Sequence, residues 1–184
     1  ASVGWPGMIG VLSGMNETGL TVTINAAKSA VPTGSATPIS ILTREILQYA
    51  STIDEAFAIA QKRKTFVSES ILIGSAKDGK AAIIEKSPEK TVLFKGKEAD
   101  RLICTDERNM ENIRTSDSSY RFARLKELIS ENMPIDASKA ASILRNHKGL
   151  QNADLGLANE MAINQFIAHH SVIFQPEKRL MWVS

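Results

Sequence analysis

The sequence has little of what disulfide-stabilised and metal-binding proteins need. It contains one cysteine, Cys104, among 184 residues, so no disulfide can form within the chain and no thiol-rich metal site exists. Its three histidines, His147, His169 and His170, are not spaced from cysteine or glutamate as zinc ligands are. We therefore expect neither a metal nor an organic cofactor.

Strong charge and long apolar runs are also missing. The 22 basic and 20 acidic side chains give a net charge of +2, and no dense basic tract occurs, so we expect no nucleic-acid partner. No apolar run approaches the roughly 20 residues that a membrane span requires. The start, at Ala1 rather than Met, has no basic region and no apolar stretch of a signal peptide. We interpret the chain as a processed product, a domain or a trimmed chain, whose compartment the sequence leaves open.

What is present is an ordinary globular composition, 43% hydrophobic and 23% charged. We expect one domain over residues 1–184. The hydrophobic pattern predicts helices in consecutive pairs and strands in consecutive hairpins, which favours an α+β fold with antiparallel sheets over a parallel βαβ fold.

The individual elements follow from periodicity and from turn and cap signals. Strands are predicted over residues 7–13, 20–25, 71–74, 81–85, 91–94, 102–105, 169–174 and 180–183. Helices are predicted to begin near Pro38, Thr52, Ser118 or Ser119, and Asp136. Thr52 followed by Glu55 fits a capping box, and Asp78-Gly79 fits the turn of a hairpin.

Asn16 is the first candidate site residue, and it sits on a glycine-flanked turn over residues 14–19. One interpretation is local, because asparagine tolerates left-handed geometry and bonds to nearby backbone in turns. The other is functional, because an amide held on a rigid turn can donate to an oxyanion. Local chemistry alone leaves both open.

Two further segments carry reactive side chains. Cys104 ends an apolar strand, where a cysteine is either a buried small hydrophobe or the nucleophile of a thiol enzyme. Arg121 lies in the first turns of a predicted helix, whose positive dipole end disfavours a cation. An arginine at a helix start is more often solvated or paired with an aspartate, and the alternative is an anionic partner or a charge network.

Read together, seven segments are similar to one family, and they follow its order over nearly the whole chain. They are Trp5-Pro6-Gly7, residues 12–20, 43–47, 52–56, 84–88, 118–122 and 171–176. The chain thus resembles the choloylglycine hydrolases and the acyl-coenzyme A:6-aminopenicillanate acyltransferases, which are N-terminal-nucleophile hydrolases.

The resemblance implies a four-layer α-β-β-α sandwich, here incomplete at its N-terminus. It also implies a linear amide hydrolase or acyltransferase, in which an N-terminal cysteine attacks the acyl carbonyl and its own α-amino group serves as base. Asn16 would stabilise the oxyanion and Arg121 would orient the site. At Asp106 the family has an asparagine that helps to bind the oxyanion or the substrate, whereas a carboxylate donates no hydrogen bond unless it is protonated.

The family places its nucleophile upstream of Trp5, so we expect it to precede Ala1 and expect this chain alone to be inactive. The expected partners are a small acyl-amide or acyl-coenzyme A substrate and the missing N-terminal segment of the same protein. Exposed strand edges lead us to expect a homo-oligomer. The alternatives are a non-catalytic binding or assembly domain and, on weaker grounds, a thiol enzyme that uses Cys104.

Overall fold

A computed structural model describes residues 1–26, 34–95, 118–166 and 168–184. These residues form two compact units. The described residues up to 95, together with residues 174–181, make the first unit, and the remainder makes the second. The single domain over residues 1–184 stays a prediction.

The first unit is built on a six-stranded antiparallel sheet in which each strand pairs with the next one along the chain. The strands are β1 (Ser2–Val3), β2 (Ser13–Met15), β3 (Leu20–Ala26), β4 (Glu69–Ser75), β5 (Lys80–Lys86) and β6 (Thr91–Lys95). Asp78 and Gly79 lie in the β4–β5 turn, as predicted, and Gly79 has the positive φ of 59° that the turn requires. An antiparallel sheet with helices confirms the α+β class.

Two helices, α1 (Ile39–Tyr49) and α2 (Ile53–Lys62), cover one face of this sheet. The predicted helix starts are confirmed: Pro38 precedes α1, and Thr52 and Glu55 form the capping box of α2. The helices and the sheet share one buried apolar cluster. Its fully buried members are Leu20, Val22, Leu42, Ile46, Ala56, Ala60, Ile71, Ile73, Ala82 and Ile84.

The strand predicted over residues 7–13 is wrong. Only Ser13 of that range is in a strand, and Gly7 has a φ of +81° that ends extended geometry. The backbone that follows bonds to α1 at two points, and the carbonyl of Leu12 accepts from Ile24 N of β3 at 3.1 Å. Val11 N donates to the carbonyl of Ser40 at 2.9 Å, and Arg44 Nη1 donates to the carbonyl of Ile9 at 2.7 Å. These bonds partner several of the segment's backbone groups without a regular ladder.

The second unit contains two helices, α3 (Ser118–Asn132) and α4 (Ala137–Leu144). Asp136 caps α4, as predicted, by accepting from Lys139 N at 2.8 Å. Strands β7 (Val172–Gln175) and β8 (Leu180–Val183) pair as the predicted C-terminal hairpin, although β7 begins three residues later than expected. The strand predicted over residues 102–105 lies outside the described residues.

The tip of this hairpin belongs to the first unit and packs closely on Gly19, in the turn between β2 and β3. A Cβ on Gly19 would lie 2.7 Å from the Pro176 carbonyl oxygen, and one on Gly74 would lie 2.6 Å from Thr21 Oγ1. Gly19 also has a φ of +80°. The absence of a side chain at Gly19 therefore permits the close approach of the hairpin tip, and its absence at Gly74 leaves room for the Thr21 hydroxyl.

Glu69 and Lys86 are opposite each other in the β4–β5 ladder, where Lys86 is buried and Glu69 is half-buried. Lys86 is only 5% exposed, and its Nζ donates to Thr91 Oγ1 at 2.8 Å. Glu69 Oε2 is buried and has no hydrogen-bond partner among the described residues. Burial raises the pKa of Glu69 and lowers the pKa of Lys86, because it penalises the charged form of each group.

We expect Glu69→Gln to stabilise the protein at neutral pH more than at acidic pH. The raised pKa of Glu69 means that folding disfavours its carboxylate, so wild-type stability falls as pH rises through the folded-state pKa. An amide of the same shape carries no charge to desolvate. The gain, measured by urea unfolding over a pH series, should be largest above that pKa and shrink toward low pH. An equal gain at every pH would show that charge is not the cause.

Candidate functional site

Asn16 occupies the turn that joins β2 to β3 in the first unit. Its backbone N–H donates to the carbonyl of Leu20 at 2.9 Å, and its carbonyl accepts from Gly19 N at 3.2 Å. The positive φ of Gly19 allows the chain to reverse within this short distance. The side chain of Asn16 is thereby held at the end of the sheet.

The Asn16 side chain makes five hydrogen bonds. Its Oδ1 accepts from Thr18 N at 3.1 Å, from Thr18 Oγ1 at 2.7 Å and from Leu20 N at 2.9 Å. Its Nδ2 donates to the carbonyls of Leu47 at 3.1 Å and Ala50 at 2.7 Å. Backbone N–H groups only donate and carbonyls only accept, so these partners fix which amide atom is which.

The two carbonyls lie at the end of α1, where the last turn of a helix leaves acceptors without intrahelical partners. The amide of Asn16 therefore joins the turn to the end of the helix. Both of its N–H hydrogens are used, so an oxyanion would have to displace one of these bonds. The contacts match the local interpretation of Asn16, and its oxyanion role stays a prediction.

Arg121 lies near the start of α3 in the second unit and is partly buried. Its Nη1 donates to the backbone carbonyl of Glu160 at 2.8 Å. Asp106 and Cys104 lie outside the described residues, so their roles stay predictions. Asn16 and Arg121 belong to different compact units, and the orienting role of Arg121 stays a prediction as well.

Sequence reasoning missed Arg124, which is completely buried one turn after Arg121. Its Nη1 donates to Glu127 Oε2 at 2.7 Å, and its Nη2 donates to Asn152 Oδ1 at 2.7 Å. A longer contact of 3.4 Å joins Nε to Asn146 Oδ1. One signal was available: Arg124 precedes the buried Leu128 by four residues, so both occupy one face of α3.

Glu127 extends this network to the loop that follows α4. Its Oε1 and Oε2 accept from Gln151 N at 3.1 Å and 3.3 Å. The hydrogen bond from Arg124 is the main cause of the lowered pKa of Glu127. Gln151 and Asn152 have positive φ values of 53° and 60°, which non-glycine residues adopt at a cost. Hydrogen bonds from α3 offset this cost and hold the loop.

Tyr120 anchors the start of the same loop. Its Oη accepts from Leu150 N at 2.9 Å, and a Cβ on Gly149 would collide with that oxygen. Helix α3 thus presents three polar side chains, those of Tyr120, Arg124 and Glu127, to residues 146–152. Each is paired, so the network functions as a support for the loop.

The part of the chain that the structure describes holds no group of three histidine, cysteine, aspartate or glutamate side chains placed to bind a metal. Within the same residues, no helix has the length and hydropathy of a membrane span.

We expect Arg124→Met to lower the free energy of unfolding by about 1–3 kcal/mol, because the fully buried arginine loses its hydrogen bonds to Glu127 and Asn152. The matched control is Arg121→Met on the same helix, which removes a partly exposed arginine and should cost much less. Urea unfolding of both variants tests the difference. Equal losses would show that Arg124 is not the support of the loop.

Comparison with known families gives a match that spans the whole chain. The model of a family described as acyl-coenzyme A:6-aminopenicillanic acid acyl-transferase matches residues 1–184. No curated protein sequence matches the chain significantly. The resemblance read from the seven sequence segments is therefore confirmed at the level of the family.

Proposed function

Because the chain belongs to the acyl-coenzyme A:6-aminopenicillanic acid acyl-transferase family, we propose that it is the C-terminal portion of an enzyme that cleaves linear C–N amide bonds or transfers their acyl groups. The observation that carries this proposal is the extent of the family match, which leaves no part of residues 1–184 outside it. The family supports acyl transfer or amide hydrolysis in general, and the choice between them depends on which acceptor enters the site.

The nucleophile in this proposal is an N-terminal cysteine of the complete protein, upstream of Ala1. Its α-amino group, with a pKa of about 8, takes the thiol proton, and the thiolate attacks the acyl carbonyl. The tetrahedral intermediate collapses to a thioester as the protonated amine leaves. Water then releases a carboxylic acid, or a second amine takes the acyl group, and either step regenerates the thiol.

The proposed fold of the complete protein is the four-layer α-β-β-α sandwich. The described first unit offers a sheet with α1 and α2 on one face, which is compatible with two of those layers. In this arrangement Arg121 orients the site and Asn16 supports the oxyanion region. Asp106 stands where an amide donor is needed, and its carboxylate would repel a developing negative charge unless it is protonated.

A non-catalytic binding or assembly domain is the second candidate, and one observation favours it. Both amide hydrogens of Asn16 already bond to the carbonyls of Leu47 and Ala50, so the expected oxyanion donor is engaged elsewhere. A family scaffold that has lost catalysis would keep this bond pattern, because the fold still requires it.

The test compares this 184-residue chain with the complete protein in two assays. One measures acyl transfer from phenylacetyl-coenzyme A to 6-aminopenicillanic acid, and the other measures hydrolysis of penicillin V. We expect turnover only from the complete protein, because it alone would carry the nucleophile.

In the complete protein, we also expect Asp106→Asn to raise turnover, roughly tenfold or more, because it replaces a group that repels the oxyanion with a hydrogen-bond donor.

Replacing the upstream cysteine by alanine is the control, and it should abolish turnover in both assays. Turnover by the 184-residue chain would overturn the proposed nucleophile. A complete, folded protein that is inactive on amide and thioester substrates would favour the binding domain.

A further inference from the structure

The second unit contains an open cavity of about 470 Å³ between α4 and the base of the C-terminal hairpin. This volume is in the range of small-molecule sites. Ala141, Leu144 and Arg145 line it from the helix, and Ser171, Trp182 and Val183 line it from the hairpin. Ser171 and Ser184 exchange backbone hydrogen bonds of 2.8 and 3.1 Å, and these bonds hold the side of the cavity that the hairpin forms.

The cavity is apolar over most of its wall, and no described residue fills it. Trp182 is 39% exposed and Val183 is 49% exposed, although both are large hydrophobic side chains at its wall. The small side chain of Ala141 leaves space on the helix side. An apolar ligand would remove this surface from water, which is the main source of binding free energy in such sites.

Arg145 supplies the charge at this cavity. It follows the last residue of α4, where a cation is favourably placed relative to the helix dipole. Its guanidinium makes no hydrogen bond or ion pair with any described residue. Guanidinium groups match carboxylates with two parallel N–H···O bonds, so an unpaired arginine beside an apolar wall fits an amphipathic carboxylate.

We propose that this cavity binds a monocarboxylate with an aliphatic tail of about eight carbons, a length that its volume admits. The tail lies against Trp182 and Leu144, and the carboxylate pairs with Arg145. The site is separate from the acyl-transfer chemistry proposed above and does not rest on it. The experiment measures ligand binding alone, so a negative result would not contradict the proposed enzyme activity.

The fluorescence of Trp182 provides the signal. The chain has only two tryptophans, so Trp5→Phe leaves Trp182 as the sole tryptophan. In that background we expect titration with octanoate to change the fluorescence saturably, with a dissociation constant on the order of 1 mM. Octanamide, which has the same tail without the charge, should bind more weakly. Arg145→Gln should weaken octanoate binding roughly tenfold.

Lys148→Gln is the matched control, because Lys148 is an exposed cation three residues further on that does not line the cavity. It should leave octanoate affinity unchanged. Ala141→Leu should block binding by filling the space, with circular dichroism confirming that the variant folds. The proposal is overturned if no saturable change occurs below the micelle concentration. It is also overturned if octanoate and octanamide bind equally and Arg145→Gln changes neither.

Discussion

The side-chain amide of Asn16 joins the sheet of the first unit to the end of α1. Its oxygen closes the turn between β2 and β3, and its nitrogen binds the carbonyls of Leu47 and Ala50 at the end of α1. The six-stranded sheet and the helices α1 and α2 share an apolar cluster, but apolar packing is not directional. Directional bonds from one side chain therefore fix where the helix ends relative to the sheet.

The second unit fixes a loop by the same means but with charge. Arg124 is fully buried, and its two shortest bonds reach Glu127 and Asn152 at 2.7 Å each. A buried cation of this kind is tolerated only when its donors are paired, so the loop and the arginine depend on each other. Both units thus use a hydrogen-bonded polar side chain, partly buried Asn16 and fully buried Arg124, where the backbone leaves regular structure.

The elements that the sequence predicted correctly are those whose signals are local. The Thr52–Glu55 capping box and the Asp78-Gly79 turn depend on residues within a few positions of each other, and both were confirmed. The strand over residues 7–13 failed because its backbone bonds to residues about 30 positions away in α1. No local pattern records such a partner.

The candidate site shows the same limit. The family was read correctly from ordered short motifs, because motifs need no knowledge of contacts. The hydrogen-bond partners of Asn16 could not be read, since Leu47 and Ala50 lie more than 30 residues further on. Arg124 was overlooked beside Arg121 because burial, and not residue type, distinguishes the two.

The most direct test of this account is the hydrogen exchange of the Asn16 side-chain amide, followed by nuclear magnetic resonance with nitrogen-15 labelling. Both N–H groups donate to helix carbonyls, so both should exchange far more slowly than the same amide in the unfolded chain. Exchange as fast as in the unfolded chain would contradict the account. It would show that the amide is not committed to α1 and is available to an oxyanion.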